Sequence, residues 1–197
     1  MTSSTSIQNK LTHLVDDDYR AFAIKGIFTD YPFLGVRTPD LRNLAKEIEK
    51  SEEGKNFLEE KPESYEELTI QGFIIASLPY EEMKKRLPAY VAKIDNWATT
   101  DMVASTIKSI KKNREDFLNV IDEFIKSPRE FTVRMALVCL KGYYITPDYL
   151  AVIFDRKFDF GVAHFKKSFR FMLKNYSSDS VYAILKSSAI LSRLPFT

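Results

Sequence analysis

The segment IDNWATTDMVASTIKSIKKNR, residues 94–114, joins the only tryptophan of the chain to a carboxylate four positions on and then to a run of cations. On a helix that spacing puts Trp97 and Asp101 on one face. Lys108, Lys111, Lys112 and Arg114 follow, positive charge placed to hold phosphate near the pair. A lone tryptophan also serves as a core anchor, and Thr99, Thr100 or Asp101 could equally cap a helix. A second segment, SPREFTVRMALVCLKGYYI at 127–145, sets Arg134 just past the first turn of an otherwise apolar helix. There it either snorkels at the core edge or points into a groove. A third, HFKKSFRFMLKNY at 164–176, interleaves Lys166, Lys167, Arg170 and Lys174 with Phe165, Phe169, Phe171 and Tyr176. Such a helix can track a phosphate backbone while its rings meet sugars or bases, or it can be an amphipathic helix with a solvated basic face.

Other chemistries lack their residues. His13 and His164 are far apart and sit in no metal-binding pattern, so no metal site is expected. There is no glycine-rich phosphate loop and no Gly-x-Ser-x-Gly elbow, and no cofactor is implied. An enzyme built on this chain would draw on carboxylates, arginines and aromatics.

The elements that must position these residues read as helices. Thr38-Pro39, Ser127-Pro128 and Thr146-Pro147 each place a hydroxyl cap before a proline suited to the first helical position. Ser127 with Glu130, and Ser64 with Glu67, have the spacing of a capping box. Apolar residues recur at three and four, as in Leu41, Leu44, Ala45 and Ile48, then Phe117, Val120, Ile121 and Phe124. Segments 64–78, 80–93, 98–112, 114–126, 129–143, 162–176 and 178–189 read the same way, while 147–160 reads as a short helix with a loop. With short links and no hairpin signal, the pattern predicts antiparallel helix pairs in one all-α domain over 1–197. A run of about ten short helices suits a helical solenoid with a concave surface, although no repeat is legible from periodicity.

The 197 residues, 45% hydrophobic, can bury the core of one domain without disulfides. Cys139 is the only cysteine and lies in the apolar run MALVCL, so it reads as a buried small hydrophobe in a reducing compartment. No signal-like or membrane-spanning stretch is found, and the expected location is the cytoplasm, with no membrane partner. The net charge of +2 hides an asymmetry: residues 1–100 carry 13 Lys/Arg against 17 Asp/Glu, and residues 101–197 carry 16 against 10. A basic second half suits a polyanionic partner, or is ordinary surface charge.

LGVRTPDLRNLAKEI (34–48), DNWATTDMV (95–103) and TVRMALV (132–138), in this order and at these separations, resemble the AlkD-type DNA alkylation-repair glycosylases. The resemblance covers roughly residues 8–185, with Gly35-Val36-Arg37 and Pro39 its most specific signature. It implies a HEAT-like helical repeat solenoid, an alpha-alpha superhelix whose concave basic cleft binds DNA. It matches Asp101 to the family's catalytic aspartate, Trp97 to the aromatic beside it, and Arg134 to the arginine that supports the site, where it would hold a phosphate. The implied reaction is hydrolysis of the N-glycosidic bond of cationic N3- or N7-alkylated purines in duplex DNA, with the base left stacked. A carboxylate near the sugar would favour its oxocarbenium-like transition state, and an indole face would add cation–π attraction.

Two departures qualify the resemblance. Phe171 stands where active members have a second tryptophan, and is expected to face the same cleft. The end SSAILSRLPFT is shorter than the family's usual final helices, so the capping helix is expected to be shortened. The expected partner is duplex DNA carrying alkylated bases, met by a monomer through Lys108, Lys111, Lys112, Arg114, Lys166, Lys167, Arg170 and Phe171. The alternatives are a catalytically weak relative that binds distorted or branched DNA, and a scaffold for protein partners.

Overall fold

The structure, a computed structural model, describes residues 3–146, 148 and 149. The segments 147–160, 162–176 and 178–189 lie outside the described residues in whole or nearly so, as does Pro147 of the Thr146-Pro147 helix start. Phe171, Lys166, Lys167 and Arg170 are among the residues not described.

The described residues are helical, joined by turns and one isolated antiparallel bridge between Val15 and Val36. In order they are α1 (Ser3–Thr12), α2 (Asp17–Ala23), α3 (Thr38–Ile48), α4 (Glu52–Glu59), α5 (Tyr65–Ser77), α6 (Tyr80–Val91), α7 (Trp97–Ala104), a 3-10 helix (Lys108–Lys112), α8 (Arg114–Ile125) and α9 (Glu130–Tyr143). Among them no helix is long and apolar enough to cross a membrane.

A repeat that the sequence hides is plain in the contacts. Gly35 meets Glu66, and Arg42 lies over Phe73, each pair 31 residues apart. Thr69 meets Thr99 at a separation of 30, and Asp101 meets Arg134 at 33. Partners that advance together along two segments belong to parallel helices, so α3, α5 and α7 run the same way, with α9 next in the series. The second helices α4, α6 and α8 are linked by ion pairs, Arg86 to Glu59 at 2.6 Å and Lys84 to Asp116 at 2.6 Å. Exposed pairs of this kind contribute about 0–1 kcal/mol each, so they trim the register of that layer and the apolar core between the layers drives its formation. Helix pairs in series with a period near 31 residues are consistent with a helical repeat solenoid.

α5 is the centre of the stack. It touches α3, α4, α6 and α7, and every residue from Tyr65 to Ala76 is buried. Segment 64–78 was expected to be amphipathic; instead it is enclosed on all sides, which only a helix with neighbours on every face can be. At Gly72 a methyl group would overlap the Tyr90 hydroxyl and Val103, so the glycine sets how closely α6 and α7 approach. The Tyr90 hydroxyl donates to the Leu68 carbonyl at 3.0 Å, which satisfies it inside the core.

Three helix starts differ from the sequence reading. Thr38 is the first residue of α3 and Arg37 its cap; the Thr38 hydroxyl turns instead to the Met102 sulfur, 3.5 Å away. α9 begins at Glu130 with Arg129 as its cap, while the Ser127 hydroxyl accepts the Arg129 N–H at 3.2 Å, forming a turn before the helix rather than a capping box. At α5 the Ser64 hydroxyl accepts the Glu67 N–H at 3.1 Å as expected, but Glu67 reaches one residue further back, to the Glu63 N–H at 2.7 Å. The expected helix 98–112 is also two elements: α7 ends at Ala104 and the 3-10 helix follows after a turn.

Candidate active site

Three adjacent residues position the start of α7, each with a different task. Asp95 accepts from the Thr29 hydroxyl at 2.8 Å and the Asp30 N–H at 2.6 Å, fastening the segment before α3 to the mouth of α7. Asn96 has extended backbone and its side-chain oxygen accepts the Thr99 N–H at 2.8 Å, so Asn96 is the cap, and not Thr99, Thr100 or Asp101. Trp97 then projects outward. It is 45% exposed, which excludes the core-anchor role, and its indole N–H donates to the Gly26 carbonyl at 2.8 Å. The indole N–H is thus held while nearly half of the residue stays exposed. Phe22, Ile24 and Phe28, flanking Gly26 in sequence, are exposed large apolar residues beside this anchor.

Asp101 lies one turn along α7 from Trp97. Arg134 of α9 grips it with two parallel bonds, Nε to Oδ1 at 2.7 Å and Nη2 to Oδ2 at 2.8 Å. The side chains remain 42% and 35% exposed for Arg134 and Asp101, so the pair sits at the surface edge of the α7–α9 contact. The fork raises the Arg134 pKa above its ordinary value, chiefly through the hydrogen bond to Asp101 and against the effect of burial. Arg134 neither snorkels along the core nor stands free for a phosphate: its guanidinium orients the carboxylate and neutralises much of its field.

The Leu34-Gly35-Val36-Arg37 segment directs its hydrogen bonds to Glu66 and Asp16 rather than to Asp101. The N–H groups of Leu34, Gly35 and Val36 donate to the Glu66 carboxylate at 3.0, 2.8 and 3.3 Å. Gly35 has φ of 97°, in the left-handed region, and an added Cβ would strike the Arg20 side chain, so glycine is required there. Burial pushes the Glu66 carboxyl upward, opposed by the N–H groups it accepts. Arg37 leaves this turn to bond Asp16 at 2.7 Å and lies over the Tyr19 ring. The segment ties α2, α3 and α5 together, and through Thr38 and Met102 it braces α3 against α7 beside Asp101.

Of the expected cations, Lys108, Lys111 and Lys112 are exposed on the 3-10 helix. Arg114 is engaged otherwise: its Nε donates to the Tyr143 carbonyl at 2.7 Å and its guanidinium lies over Tyr149, fastening α8 to the end of α9. These contacts use Nε and one face of the guanidinium, and they set where Arg114 stands between α8 and α9. Sequence reasoning missed Asp95, Asn96 and Glu66. Asn96, three residues before Thr99 at a helix start, carried a readable cap signal; Glu66 carried none, because its partners are backbone groups some 30 residues away.

A family model described as DNA alkylation repair enzyme matches residues 7–155. The chain belongs to that family. The match spans α3, α7 and α9, so the Trp97, Asp101 and Arg134 constellation falls within the matched region of this DNA alkylation repair enzyme family member. Neither the curated proteins nor the solved structures compared with the chain give a match.

Proposed function

We propose that this chain is a monofunctional DNA glycosylase that hydrolyses the N-glycosidic bond of cationic N3- or N7-alkylated purines in duplex DNA, without base flipping. The observation that carries the reading is the coexistence, on the exposed side of α7, of an edge-anchored indole and a carboxylate held by a two-point arginine fork. An alkylated purine is a cation and a good leaving group, so the main demand is to favour the positive sugar that forms as the bond breaks. Asp101 supplies fixed negative charge and can position a water, and the exposed indole of Trp97 supplies cation–π attraction. The exposed Lys108, Lys111 and Lys112 contribute to a concave basic cleft that holds the DNA backbone.

Arg134 serves this chemistry in either of two states. Locked on Asp101 it aligns the carboxylate; moved to a phosphate it leaves that carboxylate with its full charge. The engagement of both Asp101 oxygens also favours a second reading, a catalytically weak protein that binds distorted or branched DNA. Release of methylated purine from alkylated duplex DNA by the intact chain separates the two: free base is the outcome expected of the glycosylase, and salt-dependent binding without any release supports the second reading.

A further inference from the structure

Arg42 is a half-buried cation that lacks a counter-ion among the described residues. It sits on α3, its guanidinium 4.2 Å from the centre of the Phe73 ring, and its Nη1 donates to the Thr106 hydroxyl at 3.0 Å. No carboxylate of the described residues lies within ion-pair distance of it, in contrast to Arg37, Arg86 and Arg134, each of which grips one. Its pKa is lowered from the ordinary value and burial is the sole cause, as expected of a guanidinium that meets no negative charge. An arginine stacked on a ring and fixed by one hydroxyl has its plane set in advance, and among the described residues no other hydrogen bond takes its remaining N–H groups, the arrangement that suits a planar, charge-assisted grip on a phosphate.

Its place in the fold agrees. Thr38 meets Met102 and Arg42 meets Thr106 at the same separation of 64 residues, so α3 lies alongside α7 and presents Arg42 at the end of α7. Thr106 is five residues past Asp101, about 7 Å along a helical path. The axial rise of a strand is about 3.4 Å per nucleotide and its phosphates lie farther apart than that through space, so this is a step of about one to two nucleotides. Thr106 is itself fixed, its hydroxyl donating to the Met102 carbonyl at 2.7 Å, and the exposed Lys108 follows two residues later.

We propose that Arg42, seated on Phe73 and Thr106, is a backbone-phosphate anchor for the DNA strand, about one to two nucleotides from the sugar that Asp101 faces. The inference rests on the reading of this chain as a DNA-binding repair protein and adds to it a fixed contact that sets the register of the strand against Asp101.

The test uses fluorescence anisotropy with the full chain and a short duplex carrying one stable abasic-site analogue, titrated over a range of NaCl. Arg42→Met keeps a long side chain over Phe73 and removes the charge; Arg86→Gln, on the opposite layer, controls for loss of a cation. Arg42→Met is expected to weaken binding roughly tenfold at low salt and to lower the log–log salt slope by about one, with Arg86→Gln unchanged. A second measurement needs no variant to fold: methylphosphonates replace single phosphates of the duplex, and one position about one to two nucleotides from the analogue is expected to weaken wild-type binding by a similar factor. In a folded Arg42→Met protein that neutralisation is expected to have no further effect. Steep wild-type salt dependence with an unchanged Arg42→Met slope, or with no sensitive phosphate at that distance, overturns the anchor and leaves the DNA-binding reading standing. A flat wild-type salt response overturns both.

Discussion

Replacing Asp101 by asparagine removes one charge from the proposed site with little change in shape, and the geometry sets how much that should matter. A cationic sugar about 4 Å from a carboxylate is attracted by about 4 kcal/mol at an effective dielectric of about 20. Arg134 holds both carboxylate oxygens, at 2.7 and 2.8 Å, so its own charge opposes that attraction. With the guanidinium on the far side, about 8 Å from the sugar, the repulsion is about 2 kcal/mol and the net gain about 2 kcal/mol. Asparagine removes the attraction but leaves the guanidinium, so the variant loses the whole of the about 4 kcal/mol, and at about 1.36 kcal/mol per tenfold base release slows about 1000-fold, whether or not Arg134 moves to a phosphate when DNA binds. The fold should survive, because the pair is well exposed and such pairs contribute about 0–1 kcal/mol. The assay is single-turnover release of 7-methylguanine from a duplex at saturating enzyme, with duplex affinity measured in parallel. Affinity should be unchanged or slightly higher, since a negative charge has been removed near phosphate. A rate loss under about tenfold in a folded variant that still binds refutes the electrostatic role given to Asp101.

Glu66→Ala leaves three backbone N–H groups of the 34–36 turn without an acceptor, and at about 1–3 kcal/mol for each buried group that loses its partner the cost should reach about 3 kcal/mol or more; a loss below about 1 kcal/mol in urea unfolding counts against the role of this carboxylate. Gly72→Ala drives a methyl into Tyr90 and Val103, and should destabilise by about 1–3 kcal/mol, read as a lower melting temperature. An unchanged melting temperature shows that α6 can retreat freely. The fully buried Cys139 thiol is pushed up to about 12, so the neutral form prevails below that pH. It should resist disulfide reagents at pH 8 and react only as the chain unfolds, whereas rapid labelling of the native protein contradicts its burial.

Why the most specific sequence signature lies apart from Trp97, Asp101 and Arg134 follows from the stack. Gly35, Glu66 and Thr38 fix α3 against α5 and α7, and the position of Asp101 relative to Arg134 depends on that packing. The turn therefore acts through helix placement, and a change there is felt at the site as a displacement rather than as a lost contact.

The sequence by itself determined what short-range physics can write. Helical periodicity located α3, α8 and α9, the Ser64 cap fixed the start of α5, and the four-residue spacing put Trp97 and Asp101 on one helix, because each depends on residues within a few turns of one another. The tertiary structure alone decided the rest. The hidden period near 31 residues consists of contacts between parallel helices, which any residue of suitable size can make, so it leaves no identity in the sequence. The burial of α5 on every side, the fork of Arg134 on Asp101, the bond of Arg114 to Tyr143 and the seating of Arg42 on Phe73 and Thr106 arise the same way. A side chain's type fixes which bonds it is able to make; which partner reaches it first is settled by the packing of helices distant in the chain.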